Sequence, residues 1–203
     1  LSPHPFPPPP PGAPAGAGGV GGAKLAQGLT HELPGQTTIV VNTGDDELFH
    51  GLYVSPDLDT VMYTLAGIAN PETGWGLEGE TFQCLDSLEK YGVPTWFKLG
   101  DRDLATHVRR TELLSQGHTL SYVTEELCRE LGISADVVPM SDDSVRTVIR
   151  SVEGDLPFQE YFVRRHCEPV LTGVNFVGAQ AAKMAPKFLT ALGSADAIVI
   201  CPS

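Results

Sequence analysis

Residues 37–42, Thr-Thr-Ile-Val-Val-Asn, carry β-branched and apolar side chains straight into the polar turn Asn42-Thr43-Gly44-Asp45-Asp46. A short run that stays apolar on consecutive positions suits a strand covered on both faces, the situation of a central strand in a parallel sheet. Residues 197–201, Ala-Ile-Val-Ile-Cys, have the same character and lead into Pro202-Ser203. Further strands are predicted at 96–99, 135–139, 145–152, 158–163 and 173–177. Helices are predicted at 18–29, 57–68, 80–91, 101–116, 119–131 and 179–192. Pro56, Asp101 and Gly132 supply start, cap and stop signals. Strands alternating with helices predict an α/β fold with a doubly wound, largely parallel, Rossmann-like sheet. Ligands of such sheets bind beyond the carboxyl ends of the strands, where Asn42–Asp46 and Cys201-Pro202-Ser203 both fall.

Eight of the 17 prolines lie in residues 1–17, and no Asp, Glu, Lys or Arg precedes Lys24. This stretch has nothing to build a core from and is expected to be a disordered tail, with the α/β domain spanning 18–203. It lacks the basic and apolar regions of a signal peptide. No apolar run approaches the ~18 residues of a membrane helix. A net charge of −12 disfavours nucleic acid and anionic membranes as partners. Cys84, Cys128, Cys167 and Cys201 are widely spaced and form no C-x-x-C pair, which reads as reduced thiols in a cytoplasmic protein.

Acids paired within turns carry the chemistry. Asp45 and Asp46 follow a glycine turn at a strand end. Two neighbouring carboxylates there suit a magnesium ion bridging to substrate phosphates, or a solvated turn with an Asx hydrogen bond. In Pro56-Asp57-Leu58-Asp59-Thr60 the acids fit the dipole and cap of a helix start, or, since one acid would serve that, a metal or hydroxyl-binding site shared with Asp45 and Asp46. Gly18-Gly19-Val20-Gly21-Gly22 opens a helix and fits either a phosphate-binding turn or an ordinary glycine-rich connection. In Leu99-Gly100-Asp101-Arg102-Asp103-Leu104-Ala105-Thr106-His107, Asp101 fits a cap, Lys98 and Arg102 an anion clamp, and His107 a proton carrier or a packed helix residue. Trp75 fits a ring-stacking platform or a lid on the core. Met140-Ser141-Asp142-Asp143-Ser144 reads as a turn between strands. These residues by themselves reach a magnesium-assisted transfer involving a phosphorylated substrate.

Taken together, GGVGGAKL, VVNTGDD, SPDLDTVMYTLAG, GWG, WFKLGDRDLATH, VPMSDDSVRT, FQEYFV and the closing CPS resemble the 2-phospho-L-lactate transferase family, whose actinobacterial-type members transfer phosphoenolpyruvate. The resemblance covers about residues 18–203. It implies a homodimer that moves a phospholactate or phosphoenolpyruvate group from a guanosine diphosphate-linked donor to a deazariboflavin, with magnesium and release of GMP, in coenzyme F-420 biosynthesis. It further implies Asp45, Asp46 and Asp57 as metal acids, and Asp59 as catalytic base. Asp59, Lys98, Asp101, Arg102 and Asp103 would hold the deazaflavin. Gly19, Gly21, Gly22, Thr43, Pro202 and Ser203 would bind nucleotide and phosphate.

Two departures go with it. Family members place an apolar strand just before the glycine turn, where this chain reads Pro-Pro-Pro-Pro-Pro-Gly-Ala-Pro-Ala-Gly-Ala. They also continue past the CPS block. A chain without its first strand and C-terminal third is expected to be poorly stable and weakly active. The rival readings are a UDP-sugar-binding regulator of the same superfamily, disfavoured because GDDELFHG lacks that group's glycine–serine run, and a metal-dependent phosphohydrolase.

Overall fold

The structure, a computed structural model, describes residues 15–201. Its centre is a four-stranded parallel sheet ordered β5-β2-β1-β9, formed by β1 (Ala15–Ala17), β2 (Thr38–Val41), β5 (Asp136–Pro139) and β9 (Val199–Ile200). In-phase pairing of β2 with β5 puts Ile39, Val41 and Val137 on one face, against α1 (Gly19–Glu32), α2 (Pro56–Leu65) and α5 (Leu120–Glu130). Thr38 and Val138 face the other way and line a groove with Pro186, Thr190 and Ala191 of α6 (Pro186–Ser194). Helices on both faces make the sheet doubly wound, as the β-branched run predicts. The strand order reverses between β1 and β9, so the carboxyl ends of β1, β2 and β9 flank a switch point.

The first strand is the main correction. Ala15–Ala17 is a strand, hydrogen-bonded in parallel to β2 on one side and to β9 on the other. Proline cannot donate to a ladder, but these three residues contain none, and three suffice between two neighbours. The expectation of a disordered tail for residues 1–14 falls outside the described residues.

Other elements differ for local reasons. Residues 96–99 form no strand. Trp96, Phe97 and Leu99 instead pack by their side chains on Phe49 and Val54, in a second small core where the Phe49 and Phe97 rings stack at 4.0 Å. Residues 158–163 give a π-helical turn, Glu160–Arg164, with Phe158 and Phe162 stacked at 5.5 Å. The last helix begins only at Pro186, whose fixed φ suits a first helical turn. Two strands unforeseen by periodicity, β3 (Glu47–Phe49) and β4 (Leu52–Val54), form a hairpin closed by His50 and Gly51 at φ 54° and 80°. A second sheet is antiparallel, ordered β7-β6-β8 from β6 (Arg146–Ser151), β7 (Gly154–Pro157) and β8 (Leu171–Val177). The remaining helices, α3 (Gln83–Lys90) and α4 (Asp103–Ser115), lead into and out of the 96–100 segment.

Candidate active site

The turn after β2 meets the start of α2 at the N-terminus of α1. The backbone N–H of Gly19 donates to Asp57 Oδ1 at 2.7 Å, so an α2 carboxylate occupies the positive end of α1. Glycine leaves room for this approach, because a Cβ on Gly18 would lie 2.8 Å from Asp57 Oδ2 and push the carboxylate aside. The Asn42 amide bridges two acids, donating to Asp45 Oδ1 at 2.9 Å and to Asp57 Oδ2 at 3.0 Å. Gln159, helical and at the N-cap of the π-helical turn, donates to Asp45 Oδ2 at 3.1 Å. Burial, and then the neighbouring Asp57, push the Asp45 carboxyl up to about 7.

Asp46, one residue on, turns the opposite way. Its Oδ2 accepts from Ser55 Oγ at 2.8 Å, while Oδ1 is buried without a partner. Burial raises its carboxyl well above the usual range, against the pull of Ser55 and Arg110. The three acids expected to share a metal are therefore split, Asp45 with Asp57 and Asp46 apart from both. Among the described residues no three His, Cys, Asp or Glu side chains converge enough to hold a metal unaided. Magnesium asks for less, since it keeps waters and takes one or two carboxylates plus substrate phosphates. Asp45 and Asp57 fit that need: two acids held together by one amide, one of them raised by burial and then by the other.

Behind this point two helices join through polar stripes. On α2, Asp59 and Tyr63 share a face; on α4, Asp103, His107 and Arg110 do. Arg110 is 1% exposed, and its guanidinium forks onto Asp59, with Nη1 donating to Oδ2 at 3.2 Å and Nη2 donating to Oδ1. Burial works against the Arg110 charge, but the Asp59 carboxylate overrides it and holds the guanidinium above its ordinary value. His107 Nδ1 lies 3.3 Å from Arg110 Nη1 and 3.7 Å from Asp59 Oδ2. Its Nε2 is 3.1 Å from Asp103 Oδ2 but out of line for a hydrogen bond. Tyr63 donates its hydroxyl to Asp103 Oδ1 at 2.5 Å. Burial opposes the Asp103 charge, yet His107, Tyr63 and Arg110 outweigh it and hold that carboxyl below its usual range.

Four of these groups floor a cleft of about 280 Å³, with Arg110 behind them. Asp59, Tyr63, Asp103 and His107 lie along it with Lys98, while Trp75, Phe97 and Phe162 provide aromatic wall. The size is close to the roughly 300 Å³ lower end of small-molecule sites, and the composition, apolar walls with a few fixed polar groups, is theirs too.

Not every expected residue reaches the cleft. Asp101 accepts from Thr81 Oγ1 at 2.6 Å and from the N–H groups of Gln83 and Cys84, capping α3. Those bonds, Thr81 first, hold its carboxyl below the usual range. Arg102 donates from Nη1 to the Glu78 carbonyl at 2.7 Å. Neither residue lines the cleft, although Lys98 and Asp103 do. Gly19 is engaged by Asp57, Gly21 is exposed and Gly22 is buried within α1. Thr43 Oγ1 is buried and has no partner. Pro202 and Ser203 lie outside the described residues. Asp142 and Asp143 are structural: they accept from the N–H groups of Ser121 and Lys183. Sequence reasoning passed over Asn42, Tyr63, Arg110 and Gln159. The i, i+4, i+7 spacing of Asp103, His107 and Arg110 is the one signal that would have marked Arg110.

The family described as 2-phospho-L-lactate transferase CofD matches residues 15–203, beginning at β1. A phosphoenolpyruvate transferase of Streptomyces griseus is 50% identical over 192 residues, covering 91% of this chain and 60% of that protein. A 2-phospho-L-lactate transferase of Methanopyrus kandleri is 44% identical over 186 residues, again at 91% and 60%. The chain thus spans about 60% of the length of these relatives. A crystal structure of a UPF0052-family protein from Bacillus halodurans superposes with a TM-score of 0.59 at 17% identity, covering 94% of this chain and 58% of that one, a likeness of fold.

Proposed function

The chain belongs to the 2-phospho-L-lactate transferase family, and we propose that it forms the acceptor-binding and phosphate-facing part of an enzyme that transfers a phospholactate or phosphoenolpyruvate group to a deazariboflavin. The observation that carries this reading is one turn of α2 that serves two places. Asp57 points to the N-terminus of α1 beside Asp45, and Asp59 points to the aromatic cleft.

The planar deazaflavin stacks in the cleft against Trp75, Phe97 or Phe162, with Lys98 at its polar edge and its hydroxylated side chain over Asp59 and Asp103. Asp59 accepts a hydrogen bond from the terminal hydroxyl. As that oxygen forms its bond to phosphorus, the bond from phosphorus to the GMP oxygen breaks and the hydroxyl proton passes to Asp59. In a loose transition state positioning and charge neutralisation dominate, so a carboxylate held by a guanidinium is adequate for a late proton transfer. The guanosine diphosphate-linked donor lies at the N-terminus of α1, over Gly19 and the exposed Gly21, with the buried Gly22 and Thr43 shaping the backbone beneath it. Asp45 and Asp57 are the residues suited to magnesium, which when bound neutralises them and the donor phosphates.

The test uses the protein with magnesium, deazariboflavin and each guanosine diphosphate-linked donor, following GMP. Release that requires the acceptor supports the transferase. Release at the same rate without acceptor would identify a phosphohydrolase and overturn it.

A further inference from the structure

We propose that Arg110 is a positioning residue, which holds the cleft carboxylate Asp59 directly and, by setting the tautomer of His107, places a ring N–H beside Asp103. The inference rests on the acceptor site argued above and adds a residue outside the cleft wall.

A guanidinium only donates hydrogen bonds. Arg110 Nη1 sits 3.3 Å from His107 Nδ1, so Nδ1 is the accepting nitrogen and the ring hydrogen lies on Nε2. That nitrogen is 3.1 Å from Asp103 Oδ2, and it is buried with no aligned partner. Asp103 Oδ1 is taken by the Tyr63 hydroxyl at 2.5 Å, so Tyr63 fixes that carboxylate, and a hydrogen on Nε2 sets a positive ring edge beside Oδ2. On its other side the same guanidinium forks onto both oxygens of Asp59. One side chain thereby holds Asp59 on α2 and sets which ring nitrogen of His107 carries the hydrogen beside Asp103 on α4.

A stability role alone does not account for the arrangement. Apolar residues of similar volume generally serve a buried site as well as or better than an ion pair. Here Asp59, His107 and Asp103 all line the cleft, while Arg110 stands behind them and does not. The charges therefore end on a ligand-accessible surface. Two carboxylates lining one cleft as acceptors suit a chain bearing several hydroxyls, each of which has a hydrogen to donate.

Two measurements test this on the intact chain. In ¹⁵N-histidine NMR of the unmodified protein, the His107 ring should show hydrogen on Nε2 and a bare Nδ1. Arg110→Met should mix the tautomers, and Arg110→Lys, which keeps a donor, should restore much of the original pattern. A dominant Nδ1–H form in the unmodified protein would overturn the assignment, whatever the variants do. Binding is then compared for deazariboflavin and for the same ring system with a methyl group in place of the hydroxylated chain. Arg110→Met should weaken the first by about tenfold, one charged hydrogen bond's worth, and leave the second within about twofold. Equal loss for both compounds would reduce Arg110 to a structural residue. If neither compound binds the unmodified protein, the deazariboflavin reading and the carboxylate-positioning role fall together, and the NMR result still decides whether Arg110 sets the tautomer.

Discussion

At the scale of single residues, adjacency in sequence and adjacency in function part ways. Asp45 and Asp46 are neighbours, yet one meets Asn42, Asp57 and Gln159, and the other meets Ser55 and the Arg110 side. Asp45 makes a testable contribution to stability. Its folded value, about 7, lies above the ~4 of an unfolded aspartate, because burial and Asp57 disfavour its charge. A raised value contributes stability that is fully present below about pH 4 and is lost as pH rises through about 7. Asp45→Asn should therefore stabilise the fold at pH 8, by up to about 4 kcal/mol, and by only about a third as much at pH 5. Magnesium at pH 8 should raise the melting temperature of the unmodified protein but not of the variant. Thermal melts at both pH values decide it; an unaltered pH slope in Asp45→Asn would refute the assignment.

At the scale of elements, the segment before α4 shows how one glycine can hold a helix and a cleft together. Glu80 reaches across so that its Oε1 and Oε2 accept from the N–H groups of Arg102 and Asp103, at 2.8 and 3.0 Å. These cap α4 in place of a local side chain, since Arg102 itself provides none. Gly100 makes the room, because a Cβ there would lie 1.8 Å from Glu80 Cγ. Gly100→Ala should displace Glu80 and cost about 1–2 kcal/mol, the usual loss of a helix cap. Because α4 starts at Asp103, the same change should weaken ligand binding in the cleft. A chemical denaturation midpoint identical to that of the unmodified protein would show that Glu80 caps nothing of consequence. The glycine was legible as part of a motif; its reason was not, since Glu80 lies 22 residues from Arg102.

At the scale of the molecule, burial is uneven. The main core joins α1, β2, α2, α5 and β5, and a smaller one joins the β3–β4 hairpin to residues 96–104. In contrast, α6 has no buried residue, and β8 is an edge strand whose Leu171, Val174, Phe176 and Val177 are all exposed. An uncovered apolar edge of this length favours pairing between molecules. We expect the isolated chain to self-associate, with sedimentation coefficients that rise with concentration. Replacing Val174 and Phe176 by lysine should suppress this while changing stability by no more than about 0.5 kcal/mol each, as for other exposed positions. Association unaffected by the double substitution would show that this surface is not its cause. Some of this layer was legible in outline, since strands were expected at 145–152 and 173–177. Its antiparallel pairing and its exposure were not, because both depend on what lies beside it.

The sequence by itself determined the parallel sheet, the sites of the polar turns and the family. A run of β-branched residues, a proline at a helix start and a glycine at a stop act within a few residues of themselves. It misjudged β1, because three small residues look like the end of a proline-rich tail until two neighbouring strands are there to bond them. Only the tertiary structure decided which carboxylate meets which donor. Asp59 and Arg110 lie 51 positions apart, and Asp45 and Gln159 lie 114 apart. Periodicity places a side chain on a face of its own element. Whether that face meets an arginine, an amide or an open cleft is set by how the elements pack, and that packing makes Asp57 and Asp59, two residues of one helical turn, serve two different places.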